Sequence, residues 1–401
     1  MRLLFSITYY HPYSSGLSLY VKRLAEALVK RSFQLSVVSC QHDKSLKRIE
    51  KINGVKVYRA KPLIAISKGF LSLDWLILNL RLVRNQDVIV VNLPQFEGLV
   101  PAVMGKILGK KIISIYHCEV VLPPGFFNSI AQGVLSFSNY LTLHLSDRIV
   151  TYTEDFAKNS KLLTGFKNID YIYPITVEPK IDKRVQSLIR EKIGKNNDYI
   201  IGVAARLAAE KGMEYLFEAI PIINAKLQNS NIKSNPKSKV PNYFLKPITY
   251  NLKPKFKIVI AGSMNPVGEE SYKRRILALV EKYKDYVVFL GELKEEEMGA
   301  FYSLLDVLVL PSVNSTEAFG MVQVEAMKMG VPVVATDLPG VRIPVQKTGM
   351  GKIVPIKDST ALAEALIEIL TNRKSYVKPC ELIKKEFSSD STVEFYKKLF
   401  S

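Results

Sequence analysis

The sequence predicts an α/β protein with two doubly wound domains, and three observations support this. The first is a repeated order of short apolar strand, loop and amphipathic helix. The second is that the predicted strands are apolar almost throughout, as is typical of parallel strands covered on both faces. The third is that 401 residues, 48% of them hydrophobic and 23% charged, suffice for two or three globular domains.

The first half of the chain contains seven predicted strands, with a helix predicted over residues 17–31 between the first two. The strands span residues 2–7, 34–39, 55–58, 88–92, 111–116, 148–151 and 169–171. Strands that alternate with helices in this way are joined by crossovers, so we expect a parallel sheet between helices.

This order breaks near residue 175, where Pro174 and Pro179 bracket a polar stretch. A second series of predicted strands spans residues 199–203, 257–261, 287–290, 307–310 and 331–335. We therefore predict one domain over 1–175, another over 176–387, and a C-terminal helix over 388–401 that returns to the first domain. Ligands of such sheets bind beyond the carboxyl ends of the strands, so a cleft between the domains is the expected site.

The charge is strongly basic, with 56 Lys and Arg against 37 Asp and Glu, a formal net charge of +19. Residues 1–180 hold 23 basic and 12 acidic residues, and residues 181–401 hold 33 and 25. A lysine-rich insertion over 226–257, which has four prolines and no acid, supplies eight of these charges. It is either a plain surface insertion or a basic flap that contacts an anionic membrane or acceptor. This distribution favours a membrane surface or a phosphate-bearing acceptor over nucleic acid.

The location of the protein is predicted from its cysteines and its apolar runs. Cys40, Cys118 and Cys380 are too few and too scattered for a disulfide framework or a zinc site. The N-terminal apolar run is read as a buried strand rather than a signal peptide, and no apolar run is long enough to span a bilayer. We expect a cytoplasmic protein whose contact with a membrane would be peripheral.

Two motifs lie where a predicted strand is followed by a helix. At the first, Gly16 lets the backbone approach a ligand, and the helix N-terminus offers N–H groups to an anion. The alternative is an ordinary turn. At the second, Arg206 and Lys211 combine a guanidinium fork, an ammonium and a helix dipole, which suits a diphosphate. The alternative is two solvated surface cations.

The third motif is the most informative, because two glutamates, Glu317 and Glu325, are separated by seven residues around a helix start. Backbone N–H groups there can hold a phosphate, and both carboxylates can accept hydrogen bonds from sugar hydroxyls. Glu317 is expected in the loop, and Glu325 about two turns after it, on a helix that begins near residues 319–320. Either glutamate alone would be an ordinary helix-surface charge, but the whole pattern favours a binding site.

This run resembles the E-x7-E region of glycosyltransferase family 4, whose members are retaining, nucleotide-sugar-dependent enzymes of the GT-B fold. The segment with Arg206 and Lys211 and the loop and helix over residues 10–31 are similar to that family as well. The resemblance touches nearly the whole chain and is strongest over residues 200–345. It implies two facing Rossmann-like domains with the active site in the cleft between them.

The resemblance also implies roles for particular residues. Arg206 and Lys211 would bind the donor diphosphate, and Glu325 would hold the ribose hydroxyls. Glu317 would contact the transferred sugar near its reacting carbon, and His117 would face that sugar, so that Glu317, His117 and Lys211 are the implied catalytic residues. The other implied donor-binding residues are Gly16, Phe319, Gly320, Met321 and Gly291.

Some features depart from the family or leave an alternative. Ser15 stands where the family commonly has a second glycine, and a histidine at a strand end, such as His117, is otherwise more often structural. The chain has no Asp-x-Asp motif, so we expect neither a metal nor a cofactor, only a nucleoside diphosphate sugar as co-substrate. Arg206, Lys211 and helix dipoles would then offset the charge of the leaving group.

We therefore predict retaining, metal-independent transfer of a hexose to a hydroxyl of a glycan or lipid-linked acceptor. Residues 70–81, which include Trp75, and residues 124–145 combine apolar side chains with nearby Arg81 and Arg84, a pattern typical of interfacial helices. Core packing is the favoured interpretation of most of these side chains, and contact with a membrane is the hypothesis. Two other functions stay open: a sugar-nucleotide epimerase or phosphorylase of the same fold, and a basic nucleic-acid-binding protein. No nucleic-acid recognition motif supports the latter.

Overall fold

The computed structural model describes residues 1–66, 69–194, 198–229, 255–265 and 270–401. These residues form two compact units. The first contains Met1–Val177, Ser315–Met321 and Phe387–Ser401, and the second contains Glu178–Asn314 and Val322–Glu386. Most of the lysine-rich insertion over 226–257 lies outside the described residues, so its role stays a prediction.

An eight-stranded sheet forms the centre of the first unit. Its strands are β1 (Arg2–Ser6), β2 (Gln34–Cys40), β3 (Ile49–Ile52), β4 (Val55–Ala60), β7 (Val88–Leu93), β8 (Lys111–Tyr116), β9 (Arg148–Thr151) and β10 (Ile169–Tyr171). Their order is β10-β9-β8-β7-β1-β2-β4-β3, and every pair is parallel except β3 with β4. All six residues of β7 are buried, so the sheet is covered on both faces there. A separate antiparallel hairpin joins β5 (Ile64–Ile66) to β6 (Gly69–Leu71).

Five helices follow these strands in the chain. They are α1 (Gly16–Lys30), α2 (Leu73–Arg84), α3 (Leu99–Ile107), α4 (Phe126–Leu145) and α5 (Glu154–Asn159). α1 begins with a capping box, in which the Ser15 hydroxyl accepts from the Ser18 N–H and the Ser18 hydroxyl accepts from the Ser15 N–H. These bonds satisfy N–H groups that a helix start otherwise leaves unpaired.

A six-stranded, fully parallel sheet forms the centre of the second unit. Its strands are β11 (Tyr199–Ala204), β12 (Phe256–Ala261), β13 (Val287–Gly291), β14 (Val307–Leu310), β15 (Val333–Thr336) and β16 (Gly351–Val354). Their order, β13-β12-β11-β14-β15-β16, reverses direction between β11 and β14. In α/β sheets, ligands bind beyond the carboxyl ends of the strands at such a reversal.

The remaining helices in this part of the chain are α6 (Lys183–Ile193), α7 (Met213–Asn229), α8 (Glu270–Lys282), α9 (Met298–Tyr302), α10 (Met321–Lys328), α11 (Ile343–Thr348), α12 (Ser359–Thr371), α13 (Arg373–Tyr376) and α14 (Cys380–Glu386). In the described part of the chain, no helix combines the length and the apolar character that crossing a membrane requires.

The predicted fold class, two α/β domains with doubly wound sheets, is confirmed. Each of the strands predicted from the sequence is present, with ends that differ by at most two residues. The prediction missed β3, β5, β6 and β16, which are short and lie at sheet edges or in the hairpin. The domain limits stay predictions; the units differ from them chiefly because Ser315–Met321 belongs to the first unit.

The C-terminal helix α15 (Ser389–Phe400) belongs to the first unit and packs on α1. The hydroxyls of Tyr20 and Tyr396 lie 2.7 Å apart, and both side chains are completely buried. At the surface, Arg31 pairs with Glu394 at 2.7 Å. The last helix is therefore tied to the first one by a buried hydrogen bond.

This buried pair of hydroxyls makes a prediction about stability. Either Tyr20→Phe or Tyr396→Phe leaves one buried hydroxyl without its partner, so each should lower the free energy of unfolding by about 1–3 kcal/mol. The double variant removes both hydroxyls and should lose clearly less than the sum of the two single losses. Urea denaturation followed by circular dichroism measures this, and strictly additive losses would contradict the coupling.

Candidate active site

The loop between β14 and α10 carries Glu317 and, over Ser315–Met321, belongs to the first unit. Phe319 is only 2% exposed and anchors this loop. Its ring lies within 6.1 Å, centroid to centroid, of the rings of Tyr152, Tyr173 and Phe387. Glu317, two residues earlier, is half-buried. The aromatic anchor therefore fixes the backbone on which the predicted catalytic carboxylate stands.

A buried arginine and a backbone hydrogen bond hold the two ends of the same loop. Arg23 of α1 donates to the carbonyl of Ile175 at 3.2 Å, and its guanidinium lies 3.9 Å from the Met321 sulfur. At the other end, the N–H of Glu119 donates to the carbonyl of Ser315 at 3.1 Å. Arg23 was not predicted, although an arginine on the buried face of an amphipathic helix was a signal that could have identified it.

His117 follows β8, is 3% exposed, and makes hydrogen bonds through both ring nitrogens. Nε2 lies 3.0 Å from Oδ1 of Asn92, and Nδ1 lies 2.5 Å from the hydroxyl of Tyr152. The amide N–H of Asn92 donates to the carbonyl of Ser6, so its oxygen faces the ring and accepts from Nε2–H. Nδ1 then carries no hydrogen and accepts from the Tyr152 hydroxyl.

Burial keeps the cluster of His117, Asn92 and Tyr152 uncharged. Burial lowers the pKa of His117 to about 3, so its imidazole is uncharged near neutral pH. Burial, and then Tyr20, Cys118 and the Glu317 carboxylate, raise the pKa of Tyr152 well above its usual value. A general acid or base works best with a pKa near the operating pH, so His117 in this state can only position neighbouring groups by hydrogen bonding. Its contact with the sugar stays a prediction.

Asn92 and Tyr152 were not predicted from the sequence. Each lies at the carboxyl end of a strand next to β8, Asn92 in β7 and Tyr152 directly after β9. Polar side chains at the ends of three neighbouring parallel strands were the signal that could have found them.

Gly16 is the first residue of α1 and is exposed. A Cβ atom built there would meet no atom within 4 Å, so no packing in this structure requires the glycine. The predicted role of Gly16 in donor binding stays a prediction.

In the second unit, the loop after β11 holds Arg206 and Lys211 against the segment after β14. The N–H of Val313 donates to the carbonyl of Glu210 at 3.0 Å. Gly212 has a φ of +60°, and a Cβ there would lie 2.2 Å from the Pro311 carbonyl oxygen. Only glycine allows this approach, so the loop with the two cations is fixed at the point where the strand order reverses.

Arg206 is partly exposed and pairs with Glu210 at 3.3 Å through one guanidinium nitrogen. The described structure gives its side chain no other hydrogen bond, so its remaining N–H groups can bind an oxyanion. Gly291, in the neighbouring strand-end loop, accepts a hydrogen bond from the Gly262 N–H at 2.8 Å. A Cβ on Gly262 would in turn lie 2.1 Å from the Ala205 carbonyl oxygen, so the loops after β11, β12 and β13 are packed together.

Glu325 lies on α10, is 4% exposed, and accepts a hydrogen bond from the Tyr302 hydroxyl at 3.1 Å. α10 begins at Met321, close to the predicted start near residues 319–320, and Glu325 stands just over one turn from this start. Tyr302, on α9, was not predicted. Among the described residues, no group of three or more His, Cys, Asp or Glu side chains is arranged to hold a metal ion.

The predicted site residues thus fall into two sets, one in each unit. The first unit contains Gly16, His117, Glu317, Phe319, Gly320 and Met321, and the second contains Arg206, Lys211, Gly291 and Glu325. Within the first set, Tyr152 is hydrogen-bonded to His117 and its ring lies against that of Phe319. In the second, backbone contacts bring the loops of Arg206, Lys211 and Gly291 together.

The low pKa of His117 predicts how stability depends on pH. The unfolded chain binds a proton on this histidine near pH 6.5, and the folded protein binds it only near pH 3, so stability falls as the pH falls between these values. From about pH 6 to pH 4, His117 should contribute a loss of up to about 1.4 kcal/mol per pH unit. In His117→Gln, the free energy of unfolding from urea titrations should fall less steeply. Equal slopes in the two proteins would show that His117 does not titrate this way.

The close approach at Gly212 predicts that an alanine costs more stability there than at Gly330. Gly212 and Gly330 both have a positive φ, but a Cβ on Gly330 would meet no atom within 4 Å. Gly330→Ala should therefore cost only backbone strain, about 1–2 kcal/mol, whereas Gly212→Ala should cost more because it also displaces the Pro311 carbonyl. Thermal denaturation of both variants compares them, and an equal loss would rule out the steric role of Gly212.

Two family models match the chain. The model described as "Glycosyl transferases group 1" matches residues 185–385, half of the chain, and the model described as "Glycosyltransferase Family 4" matches residues 14–175. Their matched ranges lie on either side of residue 180. The two matches confirm the resemblance found in the sequence.

Relatives and solved structures agree with these matches. An uncharacterised glycosyltransferase of Methanocaldococcus jannaschii is 27% identical over 89% of this chain and 85% of its own. A phosphatidyl-myo-inositol mannosyltransferase of Mycobacterium leprae is 38% identical over 27% of this chain and 29% of its own. The Anabaena protein HepE, solved with UDP-glucose and with UDP and glucose, covers 100% of this chain and 99% of its own at 17% identity with a TM-score of 0.74. The chain belongs to the glycosyl transferases of group 1 and is a glycosyltransferase of the GT-B type.

Proposed function

We propose that the enzyme transfers a hexose from a nucleoside diphosphate sugar to an acceptor hydroxyl, with retention of configuration and without a metal ion. The observation that carries this proposal is the fixed loop after β11, which presents Arg206 and Lys211 beside the loops after β12 and β13. A guanidinium fork and an ammonium on one rigid loop suit a diphosphate. HepE, which has the same fold, was solved with UDP-glucose, and this supports a nucleotide sugar as donor.

The two cations act on the leaving group. Arg206 and Lys211 stabilise the negative charge that develops on the diphosphate, and they supply the stabilisation that a metal ion would otherwise provide. Gly291 lines the nucleobase, and Glu325, held by Tyr302, accepts hydrogen bonds from the ribose hydroxyls. Donor binding in the second unit therefore relies on charge and on backbone groups.

Transfer with retention follows from attack on the same face of the sugar. The bond between the anomeric carbon and the phosphate oxygen breaks, and the acceptor oxygen forms the new bond to that carbon. The acceptor proton passes to the departing phosphate oxygen. Glu317 stabilises the positive charge on the sugar. Neutral His117 positions neighbouring groups by hydrogen bonds. This route needs no protein base, in agreement with the low pKa of His117.

We further propose that the acceptor is lipid-linked and that the enzyme works at the cytoplasmic face of an anionic membrane. The twenty residues of α4 contain no Asp, Glu, Lys or Arg. Phe126, Phe127 and Phe137 on this helix are 76%, 83% and 63% exposed, which is typical of helices that lie in a membrane interface. Trp75 follows the core-packing interpretation, because its side chain is 2% exposed and packs inside the unit.

Incubation with a panel of radiolabelled nucleotide sugars and a membrane extract as acceptor tests the proposal. Lys211→Ala and Glu317→Ala should each reduce transfer by about 100-fold or more, because each removes a charge that acts on the transition state. Lys273→Ala, at an exposed position of α8, is the matched control and should keep full activity. Circular dichroism should show all three variants folded.

Turnover at the wild-type level in Lys211→Ala or Glu317→Ala would contradict the assigned roles. The same assay tests the other two features of the mechanism. EDTA should leave the rate unchanged, and NMR of the product should show the anomeric configuration of the donor. A rate that EDTA abolishes and a divalent metal restores would overturn metal independence, and an inverted product would overturn same-face attack.

A further inference from the structure

A cavity of about 380 Å³, the Trp75 cavity, lies in the first unit between β6, α2, α3 and α4. Its lining residues are Phe70, Leu71, Ser72, Trp75, Leu76, Phe96, Glu97, Leu99, Val100, Val103, Met104 and Ser138. Its volume is in the range of small-molecule sites. None of the residues predicted to bind the donor lines it.

The polar side chains in this lining are already bonded to the protein. Ser138 Oγ donates to the Phe96 carbonyl at 2.7 Å, Ser72 Oγ donates to a backbone carbonyl, and the Trp75 indole donates to the Glu97 carbonyl at 3.1 Å. The Glu97 carboxylate accepts from the Phe70 N–H at 2.9 Å and from a threonine hydroxyl at 3.3 Å. Because the polar partners are satisfied internally, the cavity suits an apolar ligand.

The cavity opens at the surface through apolar side chains. Leu76 on α2 and Val103 on α3 line it and are both exposed. On α4, Ser138 lines the cavity, and its neighbours Val134 and Phe137 are exposed and apolar. The mouth therefore continues into the uncharged exposed face of α4. An apolar ligand with one end in the cavity meets apolar surface outside it.

The charge at the end of α2 indicates what kind of apolar ligand this is. Leu76, Leu80 and Arg84 follow one another at four-residue spacing, so they share one face of the helix. All three are exposed, as is Arg81. Leucines that lead to arginines along one helix face complement the acyl chains and the phosphates of an anionic bilayer.

We propose that the Trp75 cavity takes up one hydrocarbon chain of a lipid from an anionic bilayer. The inference rests on the membrane-bound acceptor proposed above but not on the donor chemistry. Entry of a chain anchors the first unit and brings the lipid headgroup to Arg81 and Arg84.

Trp75 reports directly on the cavity because it is the only tryptophan of the chain and forms part of the wall. The test uses vesicles of phosphatidylglycerol with brominated acyl chains, since bromine quenches tryptophan fluorescence at short range. Binding should quench most of the Trp75 fluorescence relative to unbrominated vesicles. Val103→Phe adds bulk at the mouth of the cavity and should strongly reduce the quenching, while the protein still sediments with the vesicles. Ile107→Phe, one turn along α3 at a position that does not line the cavity, is the matched control and should be quenched like the wild type.

Each other result overturns the inference. Vesicle binding without quenching would place the membrane contact elsewhere and leave the membrane proposal intact. Equal quenching in Val103→Phe would show that the chain lies outside the cavity. Quenching by soluble bromostearate but not by vesicles would identify a soluble ligand, and self-association without vesicle binding would identify a second copy as the partner of this surface. Vesicle binding and quenching are measured without any nucleotide sugar, so failure here is distinguishable from failure of the proposed donor chemistry.

Discussion

Burial of both faces of two sheets, one mainly and one fully parallel, is the constraint on which the rest of the structure depends. A parallel strand can join its neighbour only through a crossover, and the crossover helices cover the sheet on both sides. All six residues of β7 and all four of β14 are buried as a result. The polar groups of the candidate site are therefore found at the strand ends, where Asn92, His117 and Tyr152 meet in one unit and Arg206 follows a strand in the other.

The same constraint explains how much of the fold the sequence predicts. Strands buried on both faces are continuous apolar runs, so β1, β7 and β14 are recognisable without any structure. An edge strand such as β3, with the sequence IEKI, has one side open to solvent and shows no such run. β16 begins with a glycine and a lysine, and only its pairing with β15 makes it a strand. The assignment of Ser315–Met321 to the first unit depends on aromatic contacts between residues far apart in sequence.

The candidate site also contains both residues that the sequence indicates and residues that only the structure reveals. Arg206, Lys211, Glu317 and Glu325 lie in local motifs with fixed spacing, so the sequence alone indicates them as candidates. The partners that fix the state of these groups lie far along the chain: Asn92 and Tyr152 are 25 and 35 residues from His117, and Tyr302 is 23 from Glu325. Strand register and helix packing bring them together, and neither is visible in local patterns. Trp75 shows that a local pattern can also mislead. A tryptophan beside arginines resembles an interfacial residue until its burial is known.

The neutrality of the cluster around His117 gives Glu317 a distinct electrostatic role in the proposed reaction. His117 carries no proton on Nδ1, and Tyr152 keeps its hydroxyl proton, so neither of these two groups offers a charge that would offset the carboxylate. A negative charge beside buried, uncharged groups is less screened than one in water, and it acts more strongly on positive charge nearby. The transition state of glycosyl transfer carries such a charge at the anomeric carbon. In the proposed reaction, a protonated histidine in this place would oppose that positive charge, so the burial that keeps His117 neutral supports the proposed role of Glu317.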